Sequence, residues 1–312
     1  MMRSERHQVK KKKRWKSVLL IFILLIAAGV GYSYFQYKQG VNQSLKSMDQ
    51  DPSKEVYTFE GKKDQYGDTN VLLLGSDARK KEQSSRSDTI MIAHFNEAKG
   101  TFKLTSIMRD CYVEIPGYGK HKINSAFARG GPELMRQTIK HNFDIDLQYY
   151  AIVNFQGFVQ VIDELFPDGV EIDVEKEMKK NIGVTLEPGL QSLNGKQLLG
   201  YVRYRHDAIG DFGRVQRQQK TIKAIEDQLS GIQTITKLPK LIGVVTPYVN
   251  TNMKTSDILF MGKDFLTEKQ GLETLRIPIE NSFTEPRVPG DGLVLDIDVE
   301  KNKEAIHQFI TK

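Results

Sequence analysis

Arginines and aspartates drawn from well-separated segments are the residues in this chain that could do chemistry. Asp77 lies in Leu74-Gly75-Ser76-Asp77-Ala78-Arg79, Arg86 and Asp88 in Arg86-Ser87-Asp88-Thr89, and Arg109 in Met108-Arg109-Asp110. A last block, Tyr201-Val202-Arg203-Tyr204-Arg205-His206-Asp207, leads into Gly210-Asp211-Phe212-Gly213-Arg214-Val215-Gln216-Arg217-Gln218. A guanidinium binds phosphoryl oxygens through paired N–H donors, and Mg²⁺ prefers carboxylate oxygens. The pattern therefore suggests a phosphate-rich substrate and a divalent cation.

Spacing refines the expectation. Arg203 and Arg205 are two apart, so an extended segment would point both to one side. Arg214, Arg217 and Gln218 follow i, i+3, i+4, so a helix would place them on one face near its N-terminus. That end of a helix already favours an anion and disfavours arginine, so something else must reward the arginines there. On spacing alone a second use stays open, in which the arginines pair with Asp207, Asp211 and surface carboxylates. Asp77 and Asp88 could make local turn hydrogen bonds, or hold a cation if pairing of their flanking strands brings them together. Lys122 could touch a phosphate or be solvated. His94 and His206 have no partner at metal-ligand spacing, and no Gly-x-Ser-x-Gly or Cys–His nucleophile signature is present.

The elements that must position these groups are readable from apolar patterning. Val71–Leu74, Thr89–Phe95, Thr101–Met108 and Tyr112–Ile115 read as strands, so most of the blocks above sit at strand ends. A helix is expected from Gly131 to Asn142, a strand over Tyr149–Asn154, and a helix over Phe155–Leu165 ended by Pro167. Asn194 can cap a helix Gly195–Tyr201, and a helix runs from Arg214 to about Leu229. Helices near Ile235–Val249 and Thr255–Leu266, strands Leu272–Pro278 and Gly292–Ile297, and a helix Val299–Ile310 follow. Strands mixed with helices in this order imply an α/β fold with a mixed central sheet covered on both faces.

The N-terminus indicates the compartment. Residues 1–16 hold eight basic side chains and one acid, whereas Ser17–Tyr37 carries no charge and is largely apolar. Roughly 20 apolar residues span a bilayer as a helix, and basic flanks stay inside. Residues 17–37 are thus expected to be a transmembrane signal-anchor, with residues 1–16 cytoplasmic and the C-terminal domain extracellular, a single-pass type II arrangement. A cleaved signal peptide, with Ala27-Ala28-Gly29 at its cleavage site, is the weaker alternative because the apolar run continues past it. Residues 38–66 read as a partly ordered juxtamembrane stalk, and residues 67–312 as the globular domain. The net charge of +6 belongs to the tail, since the other residues sum to −1. A basic nucleic-acid-binding domain is thereby excluded. The single cysteine, Cys111, permits no intrachain disulfide.

The blocks above, together with Asn70–Asp77, Ser106–Asp110 and Lys122-Ile123-Asn124-Ser125-Ala126-Phe127, resemble the LytR–CpsA–Psr family in matching order from about Asn70 to Leu229. The resemblance implies an α-β-α layered domain and an extracytoplasmic phosphotransferase. Such an enzyme takes a glycopolymer, for example wall teichoic acid, from a polyprenyl-pyrophosphate carrier in the membrane to peptidoglycan. It further implies that Asp77 and Asp88 hold Mg²⁺ (or Mn²⁺), with Asp77, Asp88 and Arg109 catalytic. Arg86, Arg109, Arg203, Arg205, Arg214 and Gln218 would grip the pyrophosphate, with Lys122, Arg79 and Arg217 as further contacts. A lipid pocket would lie between sheet and helices, lined from the Gly131–Asn142 and Phe155–Leu165 segments. Met108 and Cys111 stand where the family often has Pro and Thr. Two other readings accompany this one: an envelope regulator acting indirectly, and a polyprenyl-pyrophosphate binder or hydrolase.

Overall fold

The computed structural model describes residues 5–47, 55–65, 67–76, 87–229, 232–267 and 271–312. In chain order the first elements are helix α1 (Glu5–Ser47) and strands β1 (Thr69–Ser76), β2 (Ser87–Asn96), β3 (Thr101–Ile107), β4 (Cys111–Ile115) and β5 (Gly119–Lys122). Helix α2 (Asn124–Phe143), strand β6 (Tyr149–Asn154) and helix α3 (Phe155–Leu165) follow, then β7 (Val170–Val174) and β8 (Gly189–Leu193). Next come α4 (Gly195–Arg203), α5 (Gly210–Leu229), α6 (Ile232–Val245), β9 (Val249–Thr251) and α7 (Thr255–Thr267). The chain ends with β10 (Glu273–Ile277), β11 (Phe283–Thr284), β12 (Arg287–Val288), β13 (Gly292–Leu293), β14 (Leu295–Ile297) and α8 (Val299–Thr311).

The central sheet has the order β10-β3-β2-β1-β6-β9. It is mixed, as expected: β10 with β3 and β1 with β6 are parallel, and the other pairs are antiparallel. Alternation along the strands sends the two faces into different cores. Leu72, Leu74, Ile90 and Ile92 pack with Met135 and Ile139 of α2 and Ile306 and Ile310 of α8. Leu73, Met91 and Ala93 face Ile222 of α5 and Met261 and Phe265 of α7. A second sheet, β11-β14-β4-β5, closes the first of these cores and was not anticipated from sequence. The β7–β8 hairpin was missed as well. Its alternation of buried Val170, Ile172 and Val174 with exposed Glu171 and Asp173 was the available signal.

Three other expectations are modified. Helix α2 starts at Asn124 and is interrupted by non-helical Gly130 and Gly131, the latter at φ 62°. The expected start at Gly131 is therefore only its second half. Helix α4 runs through Arg203, because Leu198, Tyr201 and Val202 keep one helical face buried. The helix expected over Ile235–Val249 ends at Val245, and Val249 opens β9.

Residues 17–37 lie within α1, and the described side chains of this stretch include largely exposed Phe22, Leu24, Leu25, Tyr32 and Phe35. Among the described residues no helix is long and apolar enough to cross a membrane. Residues 38–47, expected in the stalk, continue α1 and lie against α6. Contact is backbone to backbone, since a Cβ on Gly40 would stand 2.1 Å from the Lys240 carbonyl oxygen, and one on Gly243 would stand 2.2 Å from that of Tyr37. The Ser44 hydroxyl donates to the Val244 carbonyl at 2.8 Å, adding a buried polar tie. Beyond α1, Tyr57 and Phe59 pack on Tyr150 of β6.

Candidate active site

The site forms where β1, β2 and β3 end and α4 and α5 meet. Gly75 of β1 faces Thr89 of β2, and the register shifts between Gly75 and Ser76. Only glycine fits at position 75, because a Cβ would stand 2.9 Å from that of Thr89. The strands flanking Asp77 and Asp88 thus do pair, with Ser76 opposite Ser87. Asp77, Arg79 and Arg86 themselves lie outside the described residues.

Arg109 sits in a turn between β3 and β4 that three backbone hydrogen bonds fix. Cys111 N donates to Met108 O at 3.1 Å, Asn124 N to Arg109 O at 3.3 Å, and Leu295 N to Asp110 O at 2.9 Å. From this turn Arg109 donates Nε to Asp211 Oδ2 at 3.2 Å and to Asp110 Oδ2 at 3.3 Å, and Nη1 to Asp88 Oδ1. Burial alone would lower its pKa, but Asp211, Asp110 and Asp88 outweigh burial and raise it. Lys122 lies 2.7 Å from Asp110. The Asp110 carboxyl, which burial would raise, is held below its ordinary value by the Lys122 hydrogen bond and by Arg109.

Arg214 projects from the first turns of α5. Its Nη2 donates to Asp211 Oδ2 at 2.9 Å, yet its buried Nε has no hydrogen-bond partner. Burial depresses its pKa, Asp211 opposes this, and Arg109 nearby lowers it further. Gln218, one turn on, donates to Thr89 Oγ1 at 3.0 Å. Arg203 stacks over the Phe155 ring at 4.4 Å, and Arg205 comes no closer to Asp211 than 4.0 Å. Arg203 therefore sits on a helix, not on the extended segment expected, though both arginines reach the same cavity.

That cavity has a volume of about 540 Å³. Asp88, Arg109, Arg203, Arg205, Arg214 and Gln218 line it together with Asn154, Lys180, Asn181 and His206; Leu73, Met91, Ala151, Val153, Phe155, Phe158, Leu199, Val202, Ile222 and Ile225 supply most of its apolar wall. Thr221 also lines it, with a buried hydroxyl lacking a partner. Of the two helices expected to border a lipid pocket, α3 does so. The Gly131–Asn142 segment belongs to α2 on the opposite face of the sheet.

Two candidates fall elsewhere. Arg217, 2% exposed, donates to Glu175 Oε1 at 2.6 Å, to Tyr204 O at 2.9 Å and to Asp207. It ties α5 to the segments after β7 and α4. Lys122 is engaged by Asp110 and does not line the cavity. Asp110 and Asp211 are the groups that sequence reasoning did not place in the site. Asp211 was foreseen only as a pairing partner for arginine, and it is one, bridging Arg109 and Arg214. The Cys111 thiol is fully buried and burial pushes its pKa up, so it offers no nucleophilic thiolate.

The arrangement can hold a molecule with an anionic head and a long apolar tail. The family model LytR_cpsA_psr matches residues 31–300. Regulatory protein MsrR of Staphylococcus aureus (strain COL) is 44% identical over 282 residues, covering 90% of this chain and 85% of that protein. The polyisoprenyl-teichoic acid–peptidoglycan teichoic acid transferase TagU of Oceanobacillus iheyensis is 32% identical, covering 88% of each. A solved structure of TagT bound to LI-WTA superposes with a TM-score of 0.62 at 26% identity, covering 84% of this chain and 95% of that one.

Proposed function

The chain belongs to the LytR–CpsA–Psr family, and from that premise we propose that it is a membrane-anchored phosphotransferase joining a teichoic-acid-like glycopolymer to peptidoglycan. The observation that carries the reading is the junction of an apolar cavity with under-satisfied arginines, chiefly buried Arg214 with its unpartnered Nε. A buried guanidinium N–H left without a partner is costly, and an anionic oxygen arriving in the cavity would satisfy it. A polyprenyl-pyrophosphate donor supplies both halves, prenyl chain for the apolar wall and pyrophosphate for the guanidinium groups. The names of TagU and of the TagT complex point to the same substrate class.

In this reading Arg109, Arg203, Arg205 and Arg214, with Arg86 and Gln218, hold the pyrophosphate. Arg79 and Lys122 are further contacts in this reading, and Arg217 acts by fixing α5. Among the described residues no group of three acidic, His or Cys side chains could hold a metal. The Mg²⁺ or Mn²⁺ of this reading would be held by two carboxylates, Asp88 and Asp77, the latter outside the described residues, and otherwise by substrate oxygens. When bound, the ion would neutralise charge on the phosphoryl oxygens. The acceptor hydroxyl oxygen attacks the phosphorus that bears the glycopolymer. The new P–O bond forms as the bond to the bridging oxygen of polyprenyl phosphate breaks, and the hydroxyl proton passes to a base such as Asp77. Arg109 and Arg214 would stabilise charge on the transferring phosphoryl group. Residues 17–37 would cross the membrane with the domain outside, where lipid-linked pyrophosphates are available.

The name of the Staphylococcus relative favours a second reading, indirect regulation through the state of the envelope. One assay separates these. Full-length protein in detergent is given a lipid-pyrophosphate glycan, a peptidoglycan oligomer and Mg²⁺. Polymer joined to the acceptor supports transfer; phosphate release without joining indicates hydrolysis; binding with neither outcome indicates a carrier or regulatory role.

A further inference from the structure

A donor whose prenyl chain lies on the apolar wall and whose pyrophosphate meets the arginines must send its first sugar past the remaining polar lining of the cavity. That lining includes Lys180, Asn181 and His206, which neither the sequence motifs nor the transfer chemistry uses. His206 follows Arg205 in the chain, and Lys180 and Asn181 belong to the segment between β7 and β8. Asn181 Nδ2 lies 2.8 Å from His206 Nε2. An amide nitrogen can only donate, so this ring nitrogen accepts. The bond joins the two segments and leaves Asn181 Oδ1 without a partner among the described residues. Lys180 likewise makes no ion pair there, whereas its neighbours Lys176 and Lys179 are taken by Asp207 and Glu177.

The fold holds this part of the rim in place. Asn181 has φ 60°, a left-handed conformation that asparagine tolerates better than most residues. Around it, Met178 and Leu186 exchange backbone hydrogen bonds of 2.9 and 2.8 Å, and Ile182 is buried against α4 and the β7–β8 hairpin. Gly200 of α4 admits Val184 so closely that a Cβ there would stand 2.5 Å from the Val184 Cγ2. Buried Arg217 clamps both carriers, donating to Glu175 just after β7 and to Tyr204 O and Asp207 on either side of Arg205 and His206. Such support keeps a binding group in its productive geometry before the ligand arrives. The arginines offer only donors, which suits phosphoryl oxygens. Asn181 Oδ1 is an acceptor, gains nothing from an anion and suits a group that itself donates. A lysine donor beside an amide acceptor matches the hydroxyl and acetamido groups of a sugar.

We infer that Lys180, Asn181 and His206 form the subsite for the first sugar of the donor. Asn181 Oδ1 accepts from a hydroxyl or amide N–H of that sugar, Lys180 donates to a sugar oxygen, and His206 holds the Asn181 amide in orientation. The assignment rests on the transferase reading above, which supplies a sugar-bearing pyrophosphate. These residues set which donor is bound and take no part in breaking the P–O bond.

The test uses full-length protein in detergent and two probes that share prenyl chain, pyrophosphate and charge. One is farnesyl pyrophosphate esterified on its outer phosphate with N-acetylglucosamine, and the other is the corresponding methyl ester. Equilibrium binding of each is measured by calorimetry. The wild type should favour the sugar ester by about tenfold, the scale of two hydrogen bonds. Asn181→Gly keeps the charge and accommodates φ 60°. It should cut the preference to about threefold while leaving affinity for the methyl ester unchanged, and adding Lys180→Gln should abolish the preference. Equal binding of both probes by the wild type, an undiminished preference in the double variant, or an equal loss for both probes in Asn181→Gly overturns the inference. If the preference is present but the assay above joins no polymer to peptidoglycan, the transferase reading falls and the sugar subsite stands. If polymer is joined by a wild type that shows no preference, the subsite falls and the transferase reading stands.

Discussion

Replacing Arg214 by methionine should make the ligand-free protein more stable and the enzyme nearly inactive. Arg214 is 5% exposed, its Nε is unpartnered, and its one acidic partner, Asp211, also receives Arg109 at 3.2 Å. An unmade hydrogen bond at a buried polar donor costs about 1–3 kcal/mol. Exchanging a buried ion for an apolar side chain of similar size is often neutral or stabilising by about 1–4 kcal/mol. Asp211 stays paired with Arg109, so the penalty of orphaning it is avoided. The net expectation is a gain of about 1 kcal/mol, or roughly 2–4 °C in unfolding midpoint for a domain of this size. Transfer should drop by about 10²–10³, the effect of removing one preorganised donor from a developing charge. Differential scanning calorimetry of the ligand-free protein and a transfer rate on the same sample give both numbers. Arg217→Met is the control. It strips Asp207, 4% exposed on its side chain, of its main partner, and should destabilise by about 3–5 kcal/mol. If Arg214→Met lowers the midpoint as Arg217→Met does, Arg214 is a structural tie and the argument from its unpartnered Nε is wrong.

Two further outcomes are expected. Gly40→Leu puts a side chain where a Cβ alone would stand 2.1 Å from a carbonyl oxygen of α6, so α1 should detach there; faster proteolysis after Ser47 with an unchanged core midpoint is the readout, and unchanged cleavage contradicts it. His94 is buried between Asn70 and Thr105, and burial lowers its pKa to about 3. The unfolded chain then binds the extra proton, so stability is complete above about pH 6.5 and declines as pH falls toward 3. The midpoint of the wild type should therefore fall more steeply from pH 7 to 4 than that of His94→Gln, and parallel slopes would exclude the histidine as the cause.

Much of this architecture was legible because strand alternation and helix caps are local signals. The β1–β3 strands, α3 and the Asn194 cap were read close to their observed bounds, and Asn194 does accept from Gln197 N at 2.9 Å. What escaped depends on distant partners. Nothing near Arg217 in sequence announces that Glu175, from a loop 42 residues earlier, will claim it. Arg214 and Arg217 share a helix, yet three residues of separation turn one toward the cavity and the other into an ion-pair cradle. Asp211 looked like an ordinary pairing partner because Arg109, 102 residues earlier, reaches it only when β3 lies beside α5.

The central claim is that one ligand spans the apolar cavity and its arginine mouth. Competition binding with the two halves of the donor, polyprenol and inorganic pyrophosphate, tests it most directly in wild type, Ala151→Trp and Arg109→Ala. Ala151 lines the apolar wall, and Arg109 stands at the polar end. Ala151→Trp should lose polyprenol and keep pyrophosphate, Arg109→Ala should do the reverse, and either change should weaken the intact lipid-pyrophosphate glycan by at least about tenfold. Retention of full affinity for the intact donor by both variants would contradict the account.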